Sequence, residues 1–434
     1  MRHFFLKLKN KKGIALVTTF LVISTLLIFL GTFLSTNISQ SVTSNIFTRR
    51  SRAFYLAESG LDQAITWFRA QGVPPVGNFV NPWGGVQNLG GGSYTVSITD
   101  LGIVPGSGSI RRYRVTSTGT FETMNRTMTS FIQVDNFARY LWFTNRETFN
   151  GTTVWFWSQD RLRGPTQTNG HFNIFGNPTF ESAASSVDDY IRFFNNGNNI
   201  NLSQATNPPF DIPDFQQGMS FGIASTPMPN RAQTLRNAAA GGGLALTGNS
   251  TVVLLNDGTM NVTNSGRGWV NHNMALPGNG ALFVTSGNLT ISGTLNGRLT
   301  AGSSQTIVIP NSIVYNNDPR TNPNSTDVLG LIAEQDVRIS SAGPQNLEID
   351  GAMMTMNTSF YLQNWWVGPP KGTLTVYGGL IQNQRGPVGS FNSQTGQKVS
   401  GYSKDYLYDD RLIGSPPPFM PTTGDFVVLS WEEN

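Results

Sequence analysis

The chain has 434 residues, a formal net charge of +4, 47 glycines and only 12% charged residues, a turn-rich and charge-poor composition that suits many short strands joined by tight turns and suits a helical bundle poorly. Arg2, Lys7, Lys9, Lys11 and Lys12 stand without an acid in the first thirteen residues, and the remainder carries 24 basic against 25 acidic side chains, which excludes the basic body of a nucleic-acid binder. Without cysteine there are no disulfides or thiolate metal sites, and the length exceeds one ordinary core.

Residues 14–34, IALVTTFLVISTLLIFLGTFL, are uncharged over 21 positions, enough for a helix to cross a bilayer. The preceding bases place residues 1–13 as a cytoplasmic leader and the remainder outside. A secretory signal is the alternative, but after the apolar run no helix breaker appears until Gly60, and SRAFYLAESGLDQAITWFRAQG keeps helical spacing. Ala53, Ala57, Leu61, Ala64 or Ile65, and Phe68 form one apolar stripe, so a single helix of about 85 Å is predicted from Ile14 to Ala70. Gly72, Pro74 and Pro75 end it.

The basic leader, Gly13, the apolar helix and AFYLAESGLDQAI together resemble type IV pilins and pseudopilins, most closely PilX-type minor pilins and K-type pseudopilins, over residues 8–135. The resemblance implies a bacterial inner-membrane protein, single-pass with a cytoplasmic N-terminus, that passes to a pilus at the cell surface. It implies cleavage by a prepilin peptidase between Gly13 and Ile14, and assembly with other pilin or pseudopilin subunits through helix residues such as Leu16, Thr18, Leu21, Leu26 and Leu30. Major pilins carry glutamate as the fifth mature residue, which here is Thr18, and the first acid of this chain is Glu58. A carboxylate in lipid needs a partner, so its absence points to a minor or tip-near subunit.

Beyond a Gly/Pro-rich loop, SYTVSITD and RRYRVTSTGTFETMNRTMTSFIQV alternate apolar and polar residues and predict three or four antiparallel strands covering the helix, a small pilin-like head over 72–136. From residue 137 a different region begins. RLRGPTQTNGHFNIFGNPTF and the ending YSKDYLYDDRLIGSPPPFMPTTGDFVVLSWEE resemble an uncharacterised domain family found behind PilX-like N-termini in bacterial envelope proteins. Between them STVVLL (250–255), GALFVTS (280–286), NLTIS (288–292), QTIVIP (305–310), DVRIS (336–340), NLEIDG (346–351) and GTLTVYGG (372–379) are short strands separated by turn residues. A sandwich fits these strands, and a parallel β-helix fits them better, because each rung needs only its neighbour for burial. The predicted class is therefore α+β: a leader (1–13), a membrane-spanning and amphipathic helix (14–71), a head (72–136) and a mainly β, solenoid-like domain (137–434).

Chemistry-bearing motifs are sparse. His3, His171 and His272 show no HxxH or HExxH spacing, and no metal or cofactor is expected. The pairs Asp188–Asp189 and Asp409–Asp410 would point to opposite faces of a strand and read as salt bridges or turn caps. No phosphate-cradling loop, GxSxG or dinucleotide fingerprint is present. The alternating residues of VWFW, with Trp155 and Trp157, are expected to split between core and surface, while Trp365 and Trp366, in the loop-like QNWWVG, are candidates for contact with a glycan or protein ligand. The favoured reading is a non-enzymatic filament subunit displaying a β-rich body for adhesion or assembly priming. Its rival is a membrane-tethered β-helix enzyme acting on polysaccharide, with acids such as Asp409 in its cleft.

Overall fold

The computed structural model describes residues 11–203 and 208–433, so residues 1–10 of the expected leader lie outside it. Helix α1 spans Lys11–Arg69, 59 residues. Its threonine and serine hydroxyls bond back to their own helix, as when Thr19 Oγ1 donates to Ala15 O at 2.7 Å and Ser24 Oγ to Phe20 O at 2.7 Å. The uncharged stretch of the helix thereby keeps these polar groups satisfied without water. From Ala53 onward one stripe turns inward: Ala53, Leu56, Ala57, Leu61, Ala64 and Phe68 are buried, and before it the helix touches little of its own chain.

The stripe lies on an antiparallel sheet of Gly92–Ile103, Arg111–Phe121 and Met124–Asn136, paired in that order. Small residues set the distance between helix and sheet. A Cβ on Gly119 would fall well inside 3.0 Å of Ala53 O, and one on Gly60 would collide with Ser117 Oγ. The sheet's next strand is Thr422–Glu433, at the far end of the sequence, which runs antiparallel to Met124–Asn136 with Val427 opposite Gln133 and Trp431 opposite Ser130. This corrects the expected boundary at the C-terminal end: residues 137–434 are not one unit, because their last strand completes the head. Phe426 joins the head core, packing on Phe68 at 4.9 Å between ring centroids, so burial draws the strand there.

The β body therefore lies between two strands of the head sheet. Its longest ladder is parallel throughout and runs, in spatial order, through Leu244–Thr247, Ala281–Thr285, Arg298–Ser303, Val328–Ala333, residues 352–355, residues 380–384, Trp142–Arg146, Thr166–Thr168, Ala184–Ser186 and Met219–Ser220. A second parallel ladder includes Ile313–Tyr315, residues 347–351, residues 374–378, Lys398–Tyr408, Arg161–Arg163 and Thr179–Phe180. A third face holds Ile307–Ile309 and Val337–Ile339 in one half, and Phe156–Trp157, Asn173–Phe175 and Ile191–Phe193 in the other. The chain winds from face to face around one continuous apolar core.

The winding order is permuted. The chain enters mid-stack at Trp142, winds to one end at Ser220, then resumes at the opposite end with Leu244 and winds back to Tyr408, beside its point of entry. The two halves meet where Leu380 pairs with Trp142 and Asp405 with Arg161, a seam between segments distant in sequence. Residues 221–243, including helix α2 (Gln233–Ala240), run along the stack across this seam. Asn169 Nδ2 donates to Thr226 O at 2.7 Å on one side, and Asn357 Nδ2 donates to Asn230 O at 3.1 Å on the other. Farther along, Glu334 accepts from Ala232 N at 3.0 Å and from Arg236 Nε at 2.6 Å. Antiparallel strands flank both ends: Thr259–Asn264 with Trp269–Ala275 at one, and Ile200–Leu202 at the other.

Head and body are joined by more than the two chain crossings. Arg112 Nη2 donates to Gly414 O at 2.9 Å, Gln133 Nε2 to Ile413 O at 2.9 Å, and Phe419 N to Ser107 O at 2.7 Å. Arg298, on the body, donates to Pro416 O at 2.7 Å, so the SPPPF segment is held from both sides.

Candidate functional site: a bare helix and an aromatic cavity

The helix residues singled out from the sequence are solvent-facing in the isolated chain. Ile14, Leu16, Leu21, Leu26 and Leu30 are all exposed apolar side chains on α1. Thr18 Oγ1 donates to Ile14 O and to Ala15 O, both at 3.0 Å, so its hydroxyl is spent on its own helix. The backbone of Gly13 is already helical. Exposure continues past the membrane-length run, with Ile38, Val42 and Phe47 bare, the last at 70%.

On the body, near the seam, a group of aromatic side chains surrounds a cavity of about 480 Å³. Trp365 and Trp366 line it, set at 83° with centroids 5.5 Å apart. Trp155 and Trp157 line it as well, while Phe156 between them is buried in the core. Trp157 stacks on Phe391 at 5.4 Å with planes 1° apart, and Phe391 continues onto Phe175 at 4.6 Å. Phe391 ends the short strand Gly389–Phe391 and gives no sequence signal of its own.

Two lysines complete the lining, and sequence reading missed both. Lys398 Nζ donates to Lys371 O, to Gly372 O at 3.2 Å and to Ser403 Oγ at 3.0 Å, all neutral acceptors. Burial pushes its pKa below the ordinary lysine value. Lys404 Nζ instead donates to Asp160 Oδ2 at 2.6 Å; burial lowers its pKa, and the Asp160 charge opposes that shift.

Behind Lys404 lies a charge cluster that spans the seam. Arg385 is fully buried, with Nη1 3.0 Å from Glu147 Oε2, Nη2 donating to Trp155 O at 2.9 Å, and its guanidinium 3.4 Å from the centroid of the Phe156 ring. Two acids, Glu147 and Asp160, face two bases, Arg385 and Lys404, so the cluster is neutral as a whole.

The remaining sequence candidates do not converge. Asp409 is buried and chelated by Arg411, whose Nε is 2.9 Å and Nη2 2.7 Å away, and Arg411 also donates to Ser325 O and Asp327 O. Asp188 Oδ2 lies 2.9 Å from His171 Nδ1 and accepts from it when that nitrogen carries the proton, and His171 stacks on Tyr190. His272 stacks on Trp269. Among the described residues no three His, Asp or Glu side chains form a metal-sized cluster.

A family model described as a domain of unknown function, DUF4900, matches residues 108–188, from the head hairpin into the first rungs of the body. No curated protein matches the chain. Among solved structures, the chain is similar to the competence-associated pilin ComZ from Thermus thermophilus, at 13% identity and a TM-score of 0.34, over 89% of this chain and 98% of that one.

Proposed function

We propose that this chain is a pilin-like structural subunit, anchored by α1 in the bacterial inner membrane and assembled through the same helix into a type IV pilus or related filament that displays the β body. We read that body as a parallel β-helix. The observation that carries the proposal is the length of bare helix. Residues 14–34 span about 31 Å at 1.5 Å per residue, already the ~30 Å of a hydrocarbon core. Ile38, Val42 and Phe47 lie beyond that span and remain exposed. A simple anchor leaves these side chains in water, whereas a bundle of neighbouring α1 helices covers them.

On this reading a prepilin peptidase cuts between Gly13 and Ile14, the minor or tip-near role of PilX-type subunits follows from Thr18, and the body serves adhesion or priming. No observation favours the enzymatic alternative, whose Asp409 is occupied by Arg411.

The chain has no cysteine, so Phe47→Cys introduces a unique thiol. Oxidative cross-linking of envelope filaments should yield disulfide-linked multimers, and mass spectrometry should find a mature start at Ile14. Monomer alone, with Met1 retained, sinks the filament reading and leaves a plain anchor.

A further inference from the structure

We infer that the aromatic cavity is a binding site for an acidic saccharide, a pyranose ring bearing a carboxylate. The inference deepens the reading of the β body as the displayed part of a filament subunit and rests on it for biological setting, while the binding chemistry rests on the cavity.

Its size, about 480 Å³, lies within the ~300–1,000 Å³ of small-molecule sites. The walls are flat aromatic faces at two orientations. Trp157 and Phe391 are stacked with parallel planes, and Trp365 and Trp366 form a corner. Trp366 is 61% exposed and offers a face to anything entering. Aromatic faces carry the negative part of the ring quadrupole and attract the polarised C–H bonds on a sugar ring's apolar face.

Charge selects the acidic class. Among the described residues Lys398 has no carboxylate partner, since its ammonium meets only two carbonyls and a hydroxyl. Neighbouring Lys371 likewise donates to Gly343 O at 2.5 Å and lies 5.3 Å from the Tyr402 ring centroid, without an acid. By contrast, Lys404 already has Asp160. Two positive charges therefore stand without an acid beside an aromatic cavity, and a ligand carboxylate supplies the missing counter-charge through space, the three N–H groups of Lys398 being already donated. A nucleic acid strand is disfavoured by the surroundings. Residues 137–421 hold 16 basic against 17 acidic side chains, so the body lacks the field that holds a polyanion.

The test uses the full chain in detergent micelles, titrated calorimetrically with trigalacturonate, neutral galactotriose and a dodecathymidylate. Trigalacturonate should bind saturably and at least about tenfold more tightly than galactotriose at low salt, with the gap narrowing as salt is added. Trp366→Ala should weaken both saccharides by about tenfold, the scale of one lost ring face. Lys398→Met, or Lys371→Gln should the first variant misfold, should bring the acidic-to-neutral ratio toward one and leave galactotriose unchanged. Equal affinity for the two saccharides, tighter binding of the oligonucleotide, or no saturable binding by a chain whose circular dichroism is intact would overturn the inference. None of these outcomes touches the Phe47 cross-linking result, so failure of the ligand assignment and of the filament reading can be told apart.

Discussion

Arg385 and Glu147 are 238 residues apart in sequence, yet their guanidinium and carboxylate meet at 3.0 Å with both side chains buried. They belong to different halves of the permuted winding, and their contact lies where those halves pair. Buried ion pairs add little net stability over a good apolar packing, but losing one member leaves a charge without water or partner. Arg385→Met should therefore destabilise the β body by about 3–5 kcal/mol. Arg385→Met/Glu147→Gln should recover part of that loss, because Asp160 retains Lys404. Urea denaturation of the three chains, followed by tryptophan fluorescence, measures the difference. Equal stability of the single and double variants would show that the pair is not coupled.

Gly351 and Gly378 are in-register neighbours where two long strands turn from one face of the body to the next. Their φ angles are +146° and +144°, and a Cβ on Gly378 would collide with Gly351 O. Gly378→Ala should cost at least about 1–3 kcal/mol from the backbone alone. Gly414→Ala, where a Cβ meets nothing within 4 Å, should stay within about 0.5 kcal/mol of the parent in the same denaturation experiment.

Asp350 gives the body a pH dependence of defined sign. Its Oδ2 accepts from Tyr315 N at 2.9 Å, its Oδ1 is buried without a hydrogen bond, and Arg320 stands 3.7 Å away. Burial raises its pKa to about 7, with Glu348 and Asp318 adding to the rise and the Tyr315 amide and Arg320 opposing it. In the unfolded chain this carboxyl ionises near the ordinary value of ~3.9. Between about pH 4 and pH 7 the native state thus holds a proton that the unfolded state has lost, and stability falls as pH rises through that window. Asp350→Asn should flatten the fall and stabilise the body above pH 7. A thermal-melt series across pH 4–8 reads the slope, and identical slopes in parent and variant would remove Asp350 as its source.

Local pattern made the helix and most rungs legible, because their signals lie within a few residues. The apolar run and the Ala53–Phe68 stripe are periodic, and STVVLL, GALFVTS and QTIVIP alternate or form short apolar runs between turns. Rung order was not legible. Parallel partners such as Leu380 and Trp142 share no repeat that would reveal a winding begun mid-stack. The head's last strand was hidden for the same reason: nothing local in TTGDFVVLSWEE distinguishes a strand that pairs with its neighbour from one that pairs with residues 128–136. Trp365 and Trp366 stood out by composition, but Lys398, Lys404 and Phe391 reach the cavity only through the fold. A lysine among polar residues reads as solvated surface until its acceptors are known.

The junction of α1 with the head gives the last prediction and a physical reason for the small residues in AFYLAESGL. Gly60 faces Ser117, Tyr94 and Val96, while Gly119 faces Ala53 O, Ala57 N and the Leu56 side chain, so helix and sheet meet backbone to backbone. At that separation even one methyl group displaces backbone, and rigid backbone yields less readily than a side chain. Gly119→Val should lift the helix from the sheet along the Ala53–Phe68 stripe. Loss of the stripe exposes Leu56, Leu61 and Phe68, each worth about 1.5–3 kcal/mol when buried. The head should then become protease-sensitive between residues 70 and 136, while the β body, whose core is separate, keeps its own urea transition. Limited proteolysis with mass mapping distinguishes the two regions. Cleavage that spreads equally through residues 142–408 would mean that head and body unfold as one unit, and that the bonds from Arg112, Gln133 and Arg298 to residues 413–416 couple them more tightly than their separate cores imply.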